Sequence, residues 1–173
     1  TAVKTQGENI FPYVSKNLDG IITVEDEELV VAFLDMVENH KMVVENSGLL
    51  TVAALKHLDV KNKKIVSILS GGNMDVITMS SVVQQGLVLR DRIFTVSVLL
   101  PDKPGELSRV SDVIAKESGK VIKLEHHQFV SINRNAAVEL RITLEAYGTQ
   151  HKNQIIDALH EHGYQPKLVR ASI

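Results

Sequence analysis

Two stretches of strict apolar–polar alternation constrain this chain more than any other feature. Phe94, Val96, Val98 and Leu100 alternate with Thr95 and Ser97, and Val138, Leu140, Ile142 and Leu144 alternate with Glu139, Arg141, Thr143 and Glu145. Successive strand side chains point to opposite faces, so each stretch predicts a half-buried strand with one apolar side. Between them, residues 104–117 put Pro104 in a first turn and set Leu107, Val110, Val113 and Ile114 on one helical face, followed by Gly119. A strand-like run covers Val121–Val130, a last helix spans Gln150–His162 and stops at Gly163, and a short strand is expected at Lys167–Arg170. The order strand, helix, strand, strand, helix, strand is a split βαβ arrangement.

The first half has another rhythm. Thr23 offers an N-cap hydroxyl and Glu25, Asp26, Glu27 and Glu28 suit the positive end of a helix dipole. Leu29, Val30, Phe33, Leu34 and Val37 then recur at helical spacing, predicting a helix that runs to about His40. A second helix is expected over Ser47–Leu58, apolar almost all round and therefore an interior element. Lys64–Leu69 is a short β-branched run typical of a strand buried in a parallel sheet. The loop Ser70-Gly71-Gly72-Asn73 follows directly, then a helix over Asp75–Gln85 with Gly86 ending it. The expected architecture is α/β, a layered segment with a parallel strand and flanking helices over 1–86, a polar bridge over 87–92, and an α+β ferredoxin-like domain over 93–173.

Composition narrows the functions. A formal net charge of -2 and a pI near 6.4 leave no electrostatic footprint for nucleic acid. The absence of Cys removes disulfides and thiolate metal sites and fits a reducing cytoplasm. No apolar run reaches the roughly 18 residues of a membrane span. The first residue is Thr1 rather than Met, so the chain reads as a segment of a longer parent. His126 and His127 are adjacent on a strand, and His151, His160 and His162 lie around the last helix. Neither spacing converges on one ion, so no metal site is expected.

Ser70-Gly71-Gly72-Asn73 is the best chemical candidate, because glycines after a buried strand let backbone amides approach a ligand closely. An ordinary tight βα turn explains the same residues. A nucleoside-triphosphate loop is excluded, since no Gly-Lys-Ser/Thr follows.

A run of segments in order decides between these readings: Gly7-Glu8 after Ala2-Val3-Lys4, Asp19-Gly20-Ile21-Ile22-Thr23-Val24, Val43-Val44-Glu45-Asn46-Ser47-Gly48, and Ile68-Leu69-Ser70-Gly71-Gly72-Asn73-Met74-Asp75. Together they resemble the last third of the catalytic domain of the threonine ammonia-lyases, pyridoxal-phosphate enzymes of fold type II, like the tryptophan synthase β-subunit. Met74 stands where Ile or Val is more usual. The resemblance implies that Ser70 hydrogen-bonds the pyridine nitrogen of the cofactor, with Gly71, Gly72 and Asn73 completing the loop. It also implies that Glu45 lines the cofactor side, although an acid answering a helix dipole reads equally well. The family's Schiff-base lysine motif and glycine-rich phosphate cradle match nothing here. Lys4, Lys41, Lys61, Lys63 and Lys64 read as solvated surface lysines. The chain alone is therefore expected to be inactive, with the missing N-terminal part of the catalytic domain as its partner.

The second half resembles an ACT domain, the ligand-sensing module of amino-acid metabolism, with Leu100-Pro101-Asp102-Lys103-Pro104-Gly105-Glu106-Leu107 as its characteristic turn. Pro104, Gly105, Glu106 and Leu107 would then hold an amino-acid effector, with free amides at Gly105, Glu106 and Leu107 facing its carboxylate. A homodimer or higher oligomer is the companion expectation. Two functions compete: part of a lyase converting threonine to 2-oxobutanoate and ammonia, as in isoleucine biosynthesis, and a stand-alone amino-acid sensor that dimerises and acts on a partner.

Overall fold

A computed structural model describes residue 5, residues 7–127 and residues 137–171. Ala2, Val3 and Lys4, and residues 128–130 of the third expected strand run, lie outside the described residues. The chain divides into two compact units, one up to Val83 and one from Gln84.

The first unit holds α1 Phe11–Asn17, α2 Asp26–Asp35, the short α3 Leu50–Ala53 and the beginning of α4 Val76–Leu89. Its core joins Leu29, Val30 and Phe33 of α2 to Met36, Val44, Leu49, Ala53 and Val82. Burying each such side chain contributes about 1.5–3 kcal/mol. The N-cap of α2 is Glu25 rather than the expected Thr23. A reciprocal capping box explains the shift, because the Glu25 backbone N–H donates to Glu28 Oε2 at 2.7 Å while the Glu25 side chain accepts from the backbone of Glu28. The expected run to His40 is completed as a π-helical turn over Met36–His40, closed by Lys41 in the left-handed region at φ 56°.

Glu28 also binds across the unit. Its side chain, 11% exposed, pairs with Lys56 and lies 2.9 Å from His57 Nε2. The Lys56 ammonium is the chief reason that the Glu28 carboxyl falls from 4.5 to about 2, against the opposing effect of burial.

Three expectations for this unit need correction. The helix over Ser47–Leu58 is a composite: a 3-10 turn over Asn46–Leu49, one α turn, and a second 3-10 turn over Ala54–His57. Gly48 sits inside the first of these turns, in close backbone packing described below. Lys64–Leu69 forms no ladder among the described residues, and Val66 and Ile68 are 91% and 74% exposed. A strand exists only through its neighbours, and among the described residues none pairs with this run. Finally, α4 does not stop at Gly86 but continues to Leu89, and the Gly86 carbonyl accepts the Arg90 N–H at 3.0 Å.

The second unit contains β1 Ile93–Pro101, α5 Glu106–Lys116, β2 Lys120–His127, β3 Ala137–Glu145, α6 Thr149–Glu161 and β4 Lys167–Val169. The strands form one antiparallel sheet in the order β2-β3-β1-β4, which with two helices is the expected ferredoxin-like βαββαβ fold. The alternation sets the register: Phe94 faces Leu144, Val96 faces Ile142 and Val98 faces Leu140. These apolar partners pack against Val110, Val113 and Ile114 of α5 and Ile155 and Leu159 of α6. The opposite sheet face is polar, with Thr95 Oγ1 and Thr143 Oγ1 2.9 Å apart and Ser97 Oγ donating to Glu139 Oε1 at 2.6 Å.

Asp91 anchors the start of this unit. It adopts φ 54°, and its carboxylate accepts from Thr149 Oγ1 and Lys152 Nζ, both at 2.7 Å. Burial alone would raise its carboxyl, but Lys152 and Thr149 outweigh that effect and lower it.

Candidate functional site

In the first unit, the structure brings all five expected cofactor-side residues together. The Ser70–Asn73 loop lies on the segment Glu45–Gly48, and the Glu45 backbone N–H donates to the Gly71 carbonyl at 3.3 Å. The Glu45 carboxylate then closes the arrangement. Its Oε1 accepts from Ser47 Oγ at 2.5 Å and its Oε2 accepts from the Asn73 backbone N–H at 3.2 Å. Glu45 therefore acts on the loop itself, gripping it from one side.

Two glycines are demanded by this packing. Gly71 has φ 79°, and a Cβ there would stand 2.3 Å from Glu45 Cδ. A Cβ on Gly48 would fall 1.8 Å from the Ser70 carbonyl oxygen. Gly72 differs, since a Cβ there would meet only the Val43 carbonyl at 3.9 Å, so its side of the loop is open. Ser70 is exposed, and no hydrogen bond engages its hydroxyl among the described residues.

The loop leads into α4 through Asp75, whose Oδ1 accepts the N–H groups of Ile77 and Thr78 at 2.9 Å each. The Thr78 hydroxyl chiefly, with these amides, lowers the Asp75 carboxyl. Thr23, Asp26, Glu45, Asn73 and Asp75 line a cleft of about 900 Å³ beside the loop. Ser47 and Gly48 are the residues that sequence reasoning did not single out. Their signal was present in Glu45-Asn46-Ser47-Gly48, an acid, a hydroxyl two positions on and a glycine, but only the tertiary contact with Ser70 gives the spacing meaning.

In the second unit, Gly105 caps α5 in the left-handed region at φ 92°, as a turn into a helix favours. Of the three amides expected to be free, that of Glu106 is engaged, donating to the Lys103 carbonyl at 3.4 Å. The Glu106 carboxylate pairs with Arg109 Nη1 at 2.9 Å. Pro104, Gly105 and Leu107 are exposed or partly so around this turn. His151 is committed to backbone groups: its Nδ1 accepts the Tyr147 N–H at 3.1 Å and its Nε2 donates to the Glu117 carbonyl at 2.6 Å. No group of three or more His, Asp or Glu side chains among the described residues could hold a metal ion. No helix among them is long and apolar enough to cross a membrane.

No family model matches the chain. Curated relatives do. The L-threonine ammonia-lyase of Geobacter sulfurreducens is 36% identical over 165 residues, which is 94% of this chain and 41% of that protein. By sequence, this chain belongs with the C-terminal part of the threonine ammonia-lyases. The L-threonine ammonia-lyase of Thermotoga maritima is 31% identical over 169 residues, 97% of this chain and 42% of that protein. The biosynthetic L-threonine dehydratase IlvA of Escherichia coli is 25% identical over 167 residues, 94% of this chain and 32% of that protein. The chain thus spans well under half the length of these relatives. Among solved structures, the ACT domain of prephenate dehydrogenase from Bacillus anthracis aligns over 42% of this chain and 99% of its own length, at 23% identity and a TM-score of 0.33. That score adds no weight to the strand order already described.

Proposed function

We propose that this chain serves a pyridoxal-phosphate-dependent deamination of L-threonine to 2-oxobutanoate and ammonia, supplying one wall of the cofactor site and the regulatory domain of the enzyme. The observation that carries the reading is the Ser70 loop, held by Glu45 so that an exposed, unengaged hydroxyl stands next to the open side of Gly72.

These residues fit the ring edge of pyridoxal phosphate. A neutral hydroxyl at Ser70 offers the ring nitrogen a hydrogen bond without the charge that would hold it protonated, which favours elimination over transamination. Gly72 leaves room for the flat ring. Glu45 is already occupied by Ser47 and Asn73, so its part is to position the loop. When bound, the cofactor supplies an electron sink for the carbon beside the substrate carboxylate. Covalent attachment and phosphate binding fall to segments beyond this chain, in the N-terminal part of the catalytic domain. Val66, Ile68, Val76 and Ile77 are all exposed in this unit, apolar positions suited to meeting it. The second unit senses an amino acid and pairs with a second copy.

Incubating the longer polypeptide that carries this chain with L-threonine and pyridoxal phosphate tests the reading. Formation of 2-oxobutanoate and ammonia in equal amounts is expected, and none from the isolated chain. No product from the longer polypeptide, together with amino-acid binding by the isolated chain, would favour the stand-alone sensor instead, a reading to which the complete core of the second unit is suited.

A further inference from the structure

The chain has four methionines, and their surroundings differ. Met36 is 5% exposed in the core of the first unit, Met79 packs against that core from α4, and Met42 is 41% exposed. Met74 combines two settings. It packs, half-buried, against the core that contains Leu29 and Phe33, and it lines the cleft of about 900 Å³ beside the cofactor-side loop. Its side chain is thus held by apolar neighbours and reachable through the cleft.

Met74 also has a structural task. Residues 70–73 are exposed throughout, and the apolar side chains that fasten this loop to the core are Leu69 before it and Met74 after it. The Met74 N–H donates to the Gly72 carbonyl at 2.9 Å, and the preceding Asn73 N–H is held by Glu45 Oε2 at 3.2 Å. A thioether suits such a place because it is apolar and adaptable, but it is also the side chain that peroxides convert to a polar one.

We propose that Met74 is a peroxide-sensitive modification site whose oxidation unfastens the far end of the Ser70–Asn73 loop. The thioether sulfur attacks one oxygen of hydrogen peroxide, the S–O bond forms as the O–O bond breaks, and the departing hydroxide takes the remaining proton and leaves as water. Sulfur loses two electrons and the peroxide gains them. The sulfoxide oxygen needs hydrogen bonds that the apolar core does not offer, so the side chain moves out into the water of the cleft and the loop loosens with it. Reduction by a dithiol with methionine sulfoxide reductase restores the thioether, with water released and the dithiol oxidised to a disulfide. The proposal concerns the chain's own loop and stands whether or not a cofactor binds there.

Treating the full chain with dilute hydrogen peroxide tests it, with sulfoxide mapped at each methionine by peptide mass spectrometry and amide exchange followed at Asn73 and Met74. Sulfoxide is expected at Met74 and at the exposed Met42 before Met36, with exchange at both amides about tenfold faster or more, the scale set by a polar group that the core cannot satisfy. Reductase and dithiol return the slower exchange. Met42→Leu responds as the parent does, whereas Met74→Leu, a volume-conserving change, keeps the slower exchange after the same treatment. The parent's time course decides independently of any variant, because exchange must quicken in step with sulfoxide at Met74 and not with that at Met42. Met74 left unoxidised while Met42 is converted overturns the proposal. So does sulfoxide at Met74 with unchanged exchange, and so does equal quickening in oxidised Met74→Leu.

Discussion

Glu45 grips Asn73: its Oε2 accepts the Asn73 backbone N–H at 3.2 Å, across 28 residues of sequence. Its other oxygen takes the Ser47 hydroxyl, so one carboxylate links the helix entry at Ser47 to the end of the glycine loop. Glu45→Ala removes both acceptors. The Asn73 amide then exchanges with solvent faster, about tenfold or more, as a local opening that no longer breaks a charge-assisted bond. Amide hydrogen exchange read at Asn73 checks this, and unchanged protection contradicts it.

Gly48 and Ser70 meet more closely than any side chain permits. Gly48→Ala places a Cβ 1.8 Å from the Ser70 carbonyl oxygen, a contact that only backbone movement relieves. Overpacking of this kind destabilises by about 1–3 kcal/mol. Urea unfolding of the variant should show that loss, while Gly72→Ala, with its nearest contact at 3.9 Å, unfolds at nearly the same urea concentration as the parent.

Acid should loosen the first unit through Glu28. Its carboxyl is lowered from 4.5 to about 2 by Lys56 chiefly, so it favours the folded state fully above the unfolded value near 4.5. That contribution fades as pH falls from about 4.5 toward 2, where the folded carboxylate takes up its proton. Glu28→Gln should therefore lower stability at pH 7 and flatten its fall in this window. Chemical denaturation at several pH values measures both, and parallel curves for the two proteins would count against it.

The second unit was the more legible half, for a physical reason. Val96 opposite Ile142 and Val98 opposite Leu140 need only a period of two to predict their face, and both partners lie within the same unit. In the first unit Glu45 and the Ser70–Asn73 loop, named from the sequence, lie in contact, while the elements around them were less legible. Val66 and Ile68 were expected in a buried parallel strand, but burial and pairing depend on neighbours that no local pattern supplies. The Thr23 hydroxyl lost the N-cap of α2 to Glu25, because the Glu25–Glu28 box satisfies two backbone ends where a lone hydroxyl satisfies one. Ser70, Gly71 and Glu45 were named individually, while Gly48 stayed hidden until the Ser70 carbonyl was seen against it.

Asp91 holds the entry to β1 through Lys152 and Thr149, with side chains only 25% and 14% exposed for the acid and the lysine. Asp91→Asn keeps a residue that accepts the left-handed φ of 54° and removes the charge alone. The expected cost is about 1–3 kcal/mol, that of leaving Lys152 with a weaker partner. Thermal unfolding of the variant measures it, and a midpoint equal to the parent's contradicts it.

The central claim is that Ser70 faces the ring nitrogen of a bound cofactor. It is tested most directly by Ser70→Ala in the longer polypeptide that carries this chain, following kcat for L-threonine and the visible absorption of bound pyridoxal phosphate together. The account predicts a shifted absorption maximum and a kcat lower by about tenfold or more, as loss of a hydrogen bond to the reacting system produces. An unshifted spectrum with unchanged kcat would contradict it.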